Sequence, residues 1–335
     1  MTDMLSQIRD LPAQLQWTST IDVPSLGTYP EVLCVGMGGS GISGDYAAAV
    51  AEPFGTRVSV HKGYGPVPPW AIRVRPLVVA VSYSGNTEET LDFAVSARDS
   101  GMPVAAVTTG GRLGEMAKEE DWPMVEVPSG LQPRAALGYL LGAVLRLLEA
   151  GHAVDDQRLA FVEAAELAAR TLEEGSDSWD QASEIASGLG GRIPIIYGGG
   201  PISGVVAQRW KTQINENAKM PAWWSVLPEL DHNEINGWET ISNLTSKQLG
   251  IVTLTDRSDH DRVADRIEYT RSLTSDAVPW VGEVASSGTF PLTRLISLTV
   301  VGDLVSLMLA EEAGVDPAPV PTIEKLKKLL AKEDG

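Results

Sequence analysis

The same glycine-rich pattern occurs twice in the chain, and it constrains the fold more than any other sequence feature. GGSGISG spans 38–44 and GGGPISG spans 198–204, so five of seven residues recur 160 positions later. Each copy follows a short apolar run, which is how a buried parallel strand precedes the helix of a βα turn. Chance similarity between glycine-rich turns is the alternative explanation. The equivalent placement of the two copies favours a duplicated α/β unit.

Apolar runs alternate with helical patterns around both copies. The pattern predicts strands at 31–39, 57–61, 76–85, 103–110 and 123–130, and again at 192–200, 247–257 and 279–288. It predicts helices at 41–51, 87–101, 134–150 and 155–174, and others that start at Ser203, Asp261 and Pro291. This alternation is typical of doubly wound α/β domains with parallel sheets.

Length and pattern together predict two domains. A chain of 335 residues corresponds to roughly two domains of about 150 residues each. We expect an N-terminal domain at 1–150, a helical connection at 151–190 and a C-terminal domain at 191–335. The Gly/Ser-rich stretch 175–191 is interpreted as a connection. In the tail, Thr322 is a candidate N-cap for a last amphipathic helix.

Composition argues against several classes of function. The formal charge of −18 repels phosphate backbones and anionic lipids, so we expect neither a nucleic acid nor a membrane as a partner. The single cysteine, Cys34, lies in an apolar run and is expected to be buried. The four histidines are scattered without a zinc pattern, so we expect no metal, with a site built from carboxylates alone as the alternative. Without a signal-peptide core or an uncharged apolar run of 18 residues, the chain is expected to be cytoplasmic.

The first glycine turn also matches the dinucleotide fingerprint GxGxxG, which alone is a weak signal. GMGGSG spans 36–41 and would place a pyrophosphate at a helix N-terminus. A nicotinamide-binding domain needs an acidic residue near the end of its second strand, but His61 and Lys62 occupy that position. We therefore expect no cofactor, and an NADP-dependent oxidoreductase is an alternative.

Hydroxyl side chains cluster where two neighbouring strands end, which predicts a site for a phosphate monoester. The candidate phosphate-binding residues are Gly39, Ser40, Ser82, Ser84 and Thr87. Neutral hydroxyls and the free N–H groups of a helix N-terminus can hold one anion together. Ordinary helix capping by Asn86 and Thr87 is the alternative. The second copy has Gly200 in place of Ser40 and TLTDRSD in place of the hydroxyl turn, so we expect the phosphate in the first domain only.

Six motifs, in this order, resemble the bifunctional phosphoglucose/phosphomannose isomerases of bacteria and archaea, which are built from sugar isomerase (SIS) domains. They are GMGGSGISGD, SYSGNTEET, VPSGLQPRAALGYLL, NENAKMPA, PELDHNEINGW and PVPTIEKLKKLL, and they extend over nearly the whole chain. The resemblance implies two tandem SIS domains, each a flavodoxin-like five-stranded parallel sheet sandwiched by helices. It also implies a homodimer whose active site takes a histidine from the partner subunit.

The resemblance implies a metal-free reaction in which fructose 6-phosphate interconverts with glucose 6-phosphate, and also with mannose 6-phosphate, through a cis-enediolate. Glu216 matches the base that moves a proton between C1 and C2. Arg134 matches the cation that stabilises the enediolate. Taken alone, Glu216 is better explained as a solvated helix carboxylate, and Arg134 is equally well explained as a surface arginine paired with an acid.

Two further residues are implied for opening the sugar ring. His232 matches the group that exchanges a proton with the ring, and the neighbouring Asp231 and Glu234 are expected to raise its basicity. Lys327 matches an assisting lysine of the tail, with Lys325 one register away. A structural loop histidine and the polar face of a helix are the alternatives. A non-catalytic SIS module that senses a phosphosugar is the rival function, because it would need the phosphate site but no base.

Overall fold

Two parallel β-sheets organise the chain, as the sequence predicts. The computed structural model describes residues 2–330. The strands of the first sheet are β1 (Glu31–Val35), β2 (Arg57–His61), β3 (Leu77–Ser82), β4 (Val104–Thr108) and β5 (Met124–Glu126). The strands of the second sheet are β6 (Ile193–Gly198), β7 (Trp223–Val226), β8 (Leu249–Thr255) and β9 (Val281–Ala285). The α/β architecture is confirmed.

Helices cover the faces of both sheets. In the first half they are α1 (Thr2–Arg9), α2 (Leu11–Thr20), α3 (Gly38–Ala51), α4 (Pro69–Val74), α5 (Glu88–Asp99), α6 (Gly111–Glu119) and α7 (Leu137–Ala150). In the second half they are α8 (Arg158–Thr171), α9 (Asp177–Leu189), α10 (Pro201–Gln213), α11 (Ser242–Gln248), α12 (Asp261–Thr274), α13 (Pro291–Glu312) and α14 (Pro321–Leu330). The outer ends of the two expected domains, residue 1 and residues 331–335, lie outside the described residues.

The two sheets share one strand order, which supports the duplication. The first sheet runs β2-β1-β3-β4-β5 and the second runs β7-β6-β8-β9, with every pairing parallel. β1 and β6 occupy equivalent central positions, and each leads through its glycine pattern into a helix, α3 or α10. The carboxyl ends of adjacent strands form the crevice in which doubly wound folds bind their ligands.

The expectation of five strands in each sheet is wrong for the second sheet, which has four in the described part of the chain. Only the residues 286–290 separate β9 from α13, too few for a further helix and strand. The edge strand β7 was not predicted, because its WWSV sequence is short and exposes Trp223 and Trp224.

The Gly/Ser-rich stretch 175–191, which was interpreted as a connection, contains the helix α9. Ser176 caps this helix by accepting a hydrogen bond from the Trp179 N–H at 3.2 Å. The side chains that face the interior recur every three or four residues: Ala182, Ile185, Ala186 and Leu189. Burial of this stripe against α13 outweighs the low helix propensity of glycine and serine.

Thr322 is not the N-cap of the last helix. α14 begins at Pro321, so Thr322 lies inside its first turn. Proline is favoured at the first helical position because its missing N–H would have no partner there. The helix therefore begins at Pro321, two residues earlier than an N-cap at Thr322 would place its start.

One hydrophobic core cluster runs through both halves of the molecule and includes Leu140, Trp210 and Leu298. Its central element is α13, which packs on α8, α9 and α10. Among residues 2–330, α13 alone is long and apolar enough to cross a membrane by length and composition, but 94% of the window concerned is buried inside the fold. Core helices meet the same criterion. Cys34 is also buried, as predicted.

Candidate active site

The predicted hydroxyl residues meet where the neighbouring strands β1 and β3 end. The Ser40 hydroxyl at the start of α3 accepts a hydrogen bond from the Tyr83 N–H at 3.1 Å, which ties the two turns together. The hydroxyls of Ser82 and Thr87 lie 2.9 Å apart. Ser84, at the tip of the second turn, is exposed to solvent. We call this group the hydroxyl cradle: Ser40, Ser82, Ser84 and Thr87.

The helices behind the cradle keep their N-termini free of side-chain caps. Met37 and Thr87 occupy the N-cap positions of α3 and α5, and neither caps its helix with a side-chain hydrogen bond. The Asn86 carboxamide oxygen instead accepts from the Arg112 N–H of the next turn at 3.1 Å. The capping alternative therefore does not describe this turn. Uncapped N–H groups and two helix dipoles favour an anion at the cradle.

Two glycines let the cradle form. A Cβ on Gly39 would lie 2.9 Å from the Pro133 carbonyl oxygen and 3.2 Å from the Arg134 Cα. Gly85 has a positive φ of 68°, and a Cβ there would come within 1.9 Å of the Gly110 carbonyl oxygen. Gly39 thus allows the first turn to lie directly against the segment that carries Arg134.

Arg134 lies inside the protein and not on its surface, since its side chain is only 3% exposed. Its Nε donates to the Asn217 carboxamide oxygen at 2.7 Å, and its Nη2 donates to the carbonyls of Pro317 and Ala318 at 2.7 and 3.0 Å. Its Nη1 makes only long contacts, 3.4 Å to Gln132 and 3.5 Å to Glu216. Burial lowers the pKa of Arg134, and the neighbouring Glu216 carboxylate opposes this effect.

Glu216 lies on a π-helical turn, Ile214–Ala218, that continues α10. Single π-helical turns of this kind occur frequently at functional sites. The Glu216 side chain is 27% exposed, and its Oε2 lies 3.5 Å from Arg134 Nη1. The structure therefore brings a carboxylate and a cation from the two halves of the chain to one place, beside the hydroxyl cradle.

A buried polar ladder fixes Arg134, and sequence analysis missed it. Arg209 donates to the Arg134 carbonyl at 3.0 Å and pairs with Asp303 at 2.7 Å. Gln213 donates to the other Asp303 oxygen at 2.8 Å, and Asn217 donates to a hydroxyl of α13 at 2.9 Å. The signal was present in the four-residue spacing of the three polar side chains on α10 and its π-turn. A lone aspartate within the apolar α13 was a second signal.

His232 and the tail lysines are not brought to Arg134 and Glu216 by any contact within the described part of this chain. His232 is exposed, and among residues 2–330 its side chain makes no hydrogen bond or ion pair. Of its two acidic neighbours, Asp231 is engaged by other side chains. Asp231 accepts from Arg266 at 2.9 Å and from Thr270 at 2.7 Å.

Glu234, the second neighbour of His232, is also committed elsewhere, because it accepts the Tyr197 hydroxyl at 2.6 Å. In α14, Lys325 and Lys327 are exposed, and their side chains have no hydrogen-bond or ion-pair partner within residues 2–330. The choice between the two lysines therefore stays open.

The second glycine turn carries an internal carboxylate in place of an external anion. Asp259 accepts a hydrogen bond from the Ser203 hydroxyl at 3.4 Å. A Cβ on Gly199 or Gly200 would come within 2.6 or 2.3 Å of an Asp259 carboxylate oxygen, which shows how closely the carboxylate fills the turn. Burial raises the pKa of this carboxyl group. Asp259 thus gives a physical reason for the expectation that only the first copy binds phosphate.

The side chains that could hold a metal or a nucleotide cofactor are scattered or engaged elsewhere. Within residues 2–330 no group of three or more His, Cys, Asp or Glu side chains is arranged to hold a metal ion. Lys62 forms an ion pair with Asp45, and the His61 ring packs on Phe93 at a centroid distance of 4.5 Å. The two residues that an NADP phosphate would need are therefore engaged within their own domain.

Comparison with known proteins finds relatives whose sequences are similar over nearly the whole chain. Residues 179–330 match the family described as the bacterial phospho-glucose isomerase C-terminal SIS domain. A bifunctional phosphoglucose/phosphomannose isomerase of Aquifex aeolicus is 38% identical, with 99% of each chain covered. One from Caldicellulosiruptor bescii is also 38% identical, with 98% of this chain and 99% of that one covered.

Solved structures show the same fold at low sequence identity. A hypothetical protein of Thermus thermophilus aligns with a TM-score of 0.75 at 17% identity, over 98% of this chain and 90% of that one. A similarity at this level of identity establishes the shared architecture of two parallel sheets.

Proposed function

The chain belongs to the family of bifunctional phosphoglucose/phosphomannose isomerases and is a phosphosugar isomerase, and from this we propose that it interconverts fructose 6-phosphate with both glucose 6-phosphate and mannose 6-phosphate. We propose a cis-enediolate mechanism that uses no metal or cofactor. The observation that carries the proposal is the 3.5 Å contact between Glu216 and the buried Arg134. The hydroxyl cradle lies next to this pair, because Gly39 lets its first turn contact the segment that carries Arg134.

In this mechanism the cradle holds the phosphate and Glu216 acts at the other end of the open sugar. The carboxylate takes the proton from C2 of the aldose, the C–H electron pair becomes the C1–C2 double bond, and the C1 carbonyl oxygen gains the negative charge. The proton of the C2 hydroxyl then moves to the C1 oxygen, so that the negative charge lies on the C2 oxygen. Return of the proton from Glu216 to C1 uses the pair of the C1–C2 double bond, the C2 carbonyl forms, and the product is the ketose. Because the phosphate anchors a remote part of the substrate, its binding energy can orient C1 and C2 at the base.

Arg134 stabilises the enediolate oxygens in this mechanism. Its Nε and Nη2 are held by short hydrogen bonds to protein groups, whereas its Nη1 makes only long contacts. Nη1 is therefore the edge that can exchange its partners for a substrate oxygen. A guanidinium fixed on one edge and available on the other is pre-organised for charge that develops in the transition state.

Ring opening is assigned to His232 from a partner subunit, with Lys327 of the tail assisting it. The exposure of both side chains in the single chain supports a site that a second copy completes. The homodimer and the shared site belong to the proposal. A cytoplasmic location likewise stays a prediction.

One coupled assay tests the proposed function. Fructose 6-phosphate is supplied with an excess of EDTA, and glucose 6-phosphate and mannose 6-phosphate are measured separately. We expect both products to form at rates that the chelator does not change. Binding of fructose 6-phosphate without turnover would instead support a phosphosugar sensor, and activity that EDTA removes and zinc restores would contradict the metal-free mechanism.

The cradle makes a separate prediction about affinity. Replacing both Ser84 and Thr87 by alanine should weaken substrate binding by roughly 1–3 kcal/mol, because hydrogen bonds to a charged group are lost. KM should rise much more than kcat falls. The matched control is Ser129→Ala, an exposed serine outside the cradle. A loss of kcat at unchanged KM would place the phosphate elsewhere.

A further inference from the structure

Lys219, which ends the π-turn that carries Glu216, has an unusual backbone conformation. Its φ of 57° lies in the left-handed region, where glycine or asparagine is the usual residue at a helix end. A side chain with a Cβ is disfavoured there. The lysine side chain therefore needs an explanation at this position beyond that of closing the helix.

The Lys219 ammonium turns back onto backbone carbonyls. Its Nζ donates to the carbonyl of Glu216 at 2.6 Å, to that of Pro317 at 3.1 Å and to that of Asn217 at 3.5 Å. An ammonium has three N–H donors, so three carbonyls use all of them. This arrangement leaves no proton free for transfer to a substrate, and the role of Lys219 is not that of a general acid.

The carbonyl of Pro317 is shared with the catalytic cation. Arg134 Nη2 donates to the same oxygen at 2.7 Å and to the Ala318 carbonyl at 3.0 Å. These carbonyls belong to the segment 313–320, which joins α13 to α14 and which we call the strap. Two cations from different parts of the chain thus hold one point of the strap.

We propose that Lys219 is a positioning residue that clamps the π-turn of Glu216 to the strap, and through the shared Pro317 carbonyl sets the position of Glu216 relative to Arg134. This inference rests on the proposed function for its effect on catalysis. The clamp itself is a property of the fold, because it ties the end of α10 to the chain leaving α13.

Electrostatics adds a second effect of the same residue. Burial and the nearby positive charge of Arg134 lower the pKa of Lys219, whereas Glu216 and Asp316 oppose the shift. The charge of Lys219 and its contacts with the carbonyls are separate properties, and Lys219→Arg, which keeps the charge but cannot converge on the same three carbonyls, distinguishes them.

The test compares Lys219→Met, Lys219→Arg and Lys219→Gly with the matched control Lys211→Met on α10. We expect Lys219→Met and Lys219→Gly to lower kcat about tenfold with KM changed less than about twofold, because misplacement of catalytic groups affects the chemical step. Lys219→Arg should also lower kcat, since a planar guanidinium cannot converge on three carbonyls.

Hydrogen exchange of the strap tests the clamp independently of any measurement of enzyme activity. Peptides covering 313–326 should exchange faster in Lys219→Met and Lys219→Gly than in wild type or Lys211→Met. Unchanged exchange and kcat in these variants would overturn the inference. Full activity of Lys219→Arg would show that charge alone matters and would equally overturn the clamp. If wild type lacks isomerase activity, the proposed function fails, whereas hydrogen exchange still decides whether the clamp exists.

Discussion

Glu216→Gln is expected to lower kcat for fructose 6-phosphate by about 10²- to 10⁴-fold, the range that a general base contributes. The amide has nearly the same shape as the carboxylate and can still contact Arg134, but it cannot accept the proton from C1 or C2. Substrate affinity should stay near that of wild type, because the phosphate is held by the hydroxyl cradle. The measurement is the steady-state rate as a function of fructose 6-phosphate concentration in the coupled assay, which gives kcat and KM.

The control for this variant is Glu184→Gln, which makes the same chemical change on the exposed face of α9. It should retain full activity. If Glu216→Gln kept more than a tenth of the wild-type kcat, Glu216 could not be the base, and the carboxylate beside Arg134 would have only an electrostatic role.

His232→Ala should slow cyclic substrates far more than a tetrose phosphate, which has no ring to open. The reason is that ring opening and proton transfer are separate steps with separate groups in the proposed mechanism. The two kcat/KM values, measured for fructose 6-phosphate and for the tetrose phosphate, report the two steps. Equal loss on both substrates would contradict the ring-opening role.

Mixed dimers test whether the histidine comes from a partner subunit. A heterodimer of Glu216→Gln and His232→Ala subunits has one site with both wild-type residues and one with neither. Random mixing of equal amounts should restore about a quarter of wild-type activity, because half of the dimers are heterodimers with one intact site of two. No recovery on mixing would mean that His232 and Glu216 act within one chain or that no dimer forms.

The strands and turns of the first half were predictable because local sequence determines them. Buried parallel strands are continuous apolar runs, and the glycines at 39 and 85 mark turns where backbone approaches backbone. The second sheet was less predictable. Its edge strand β7 exposes its tryptophans, and α9 forms through burial against α13, a contact that short-range patterns do not contain.

The residues of the candidate site also divide into those that local sequence predicts and those that only contacts between distant parts of the chain explain. The hydroxyl cradle could be proposed from residues alone because its members lie within two short motifs. The burial of Arg134 could not, since its partners Asn217 and Pro317 lie 83 and 183 positions along the chain. The assignment of Glu216 and His232 depended on the resemblance of whole motifs to a family. For His232 the structure of one chain adds only its exposure.

The central claim, that a proton leaves the sugar carbon and returns through Glu216, is tested most directly by following the C2 hydrogen of glucose 6-phosphate in D₂O by proton NMR. Wild-type protein should replace this hydrogen with deuterium while isomers form, and Glu216→Gln should leave it in place for as long as the wild-type signal takes to disappear. Replacement of this hydrogen by deuterium at the wild-type rate in Glu216→Gln would contradict the claim, because a group other than Glu216 would then move the proton.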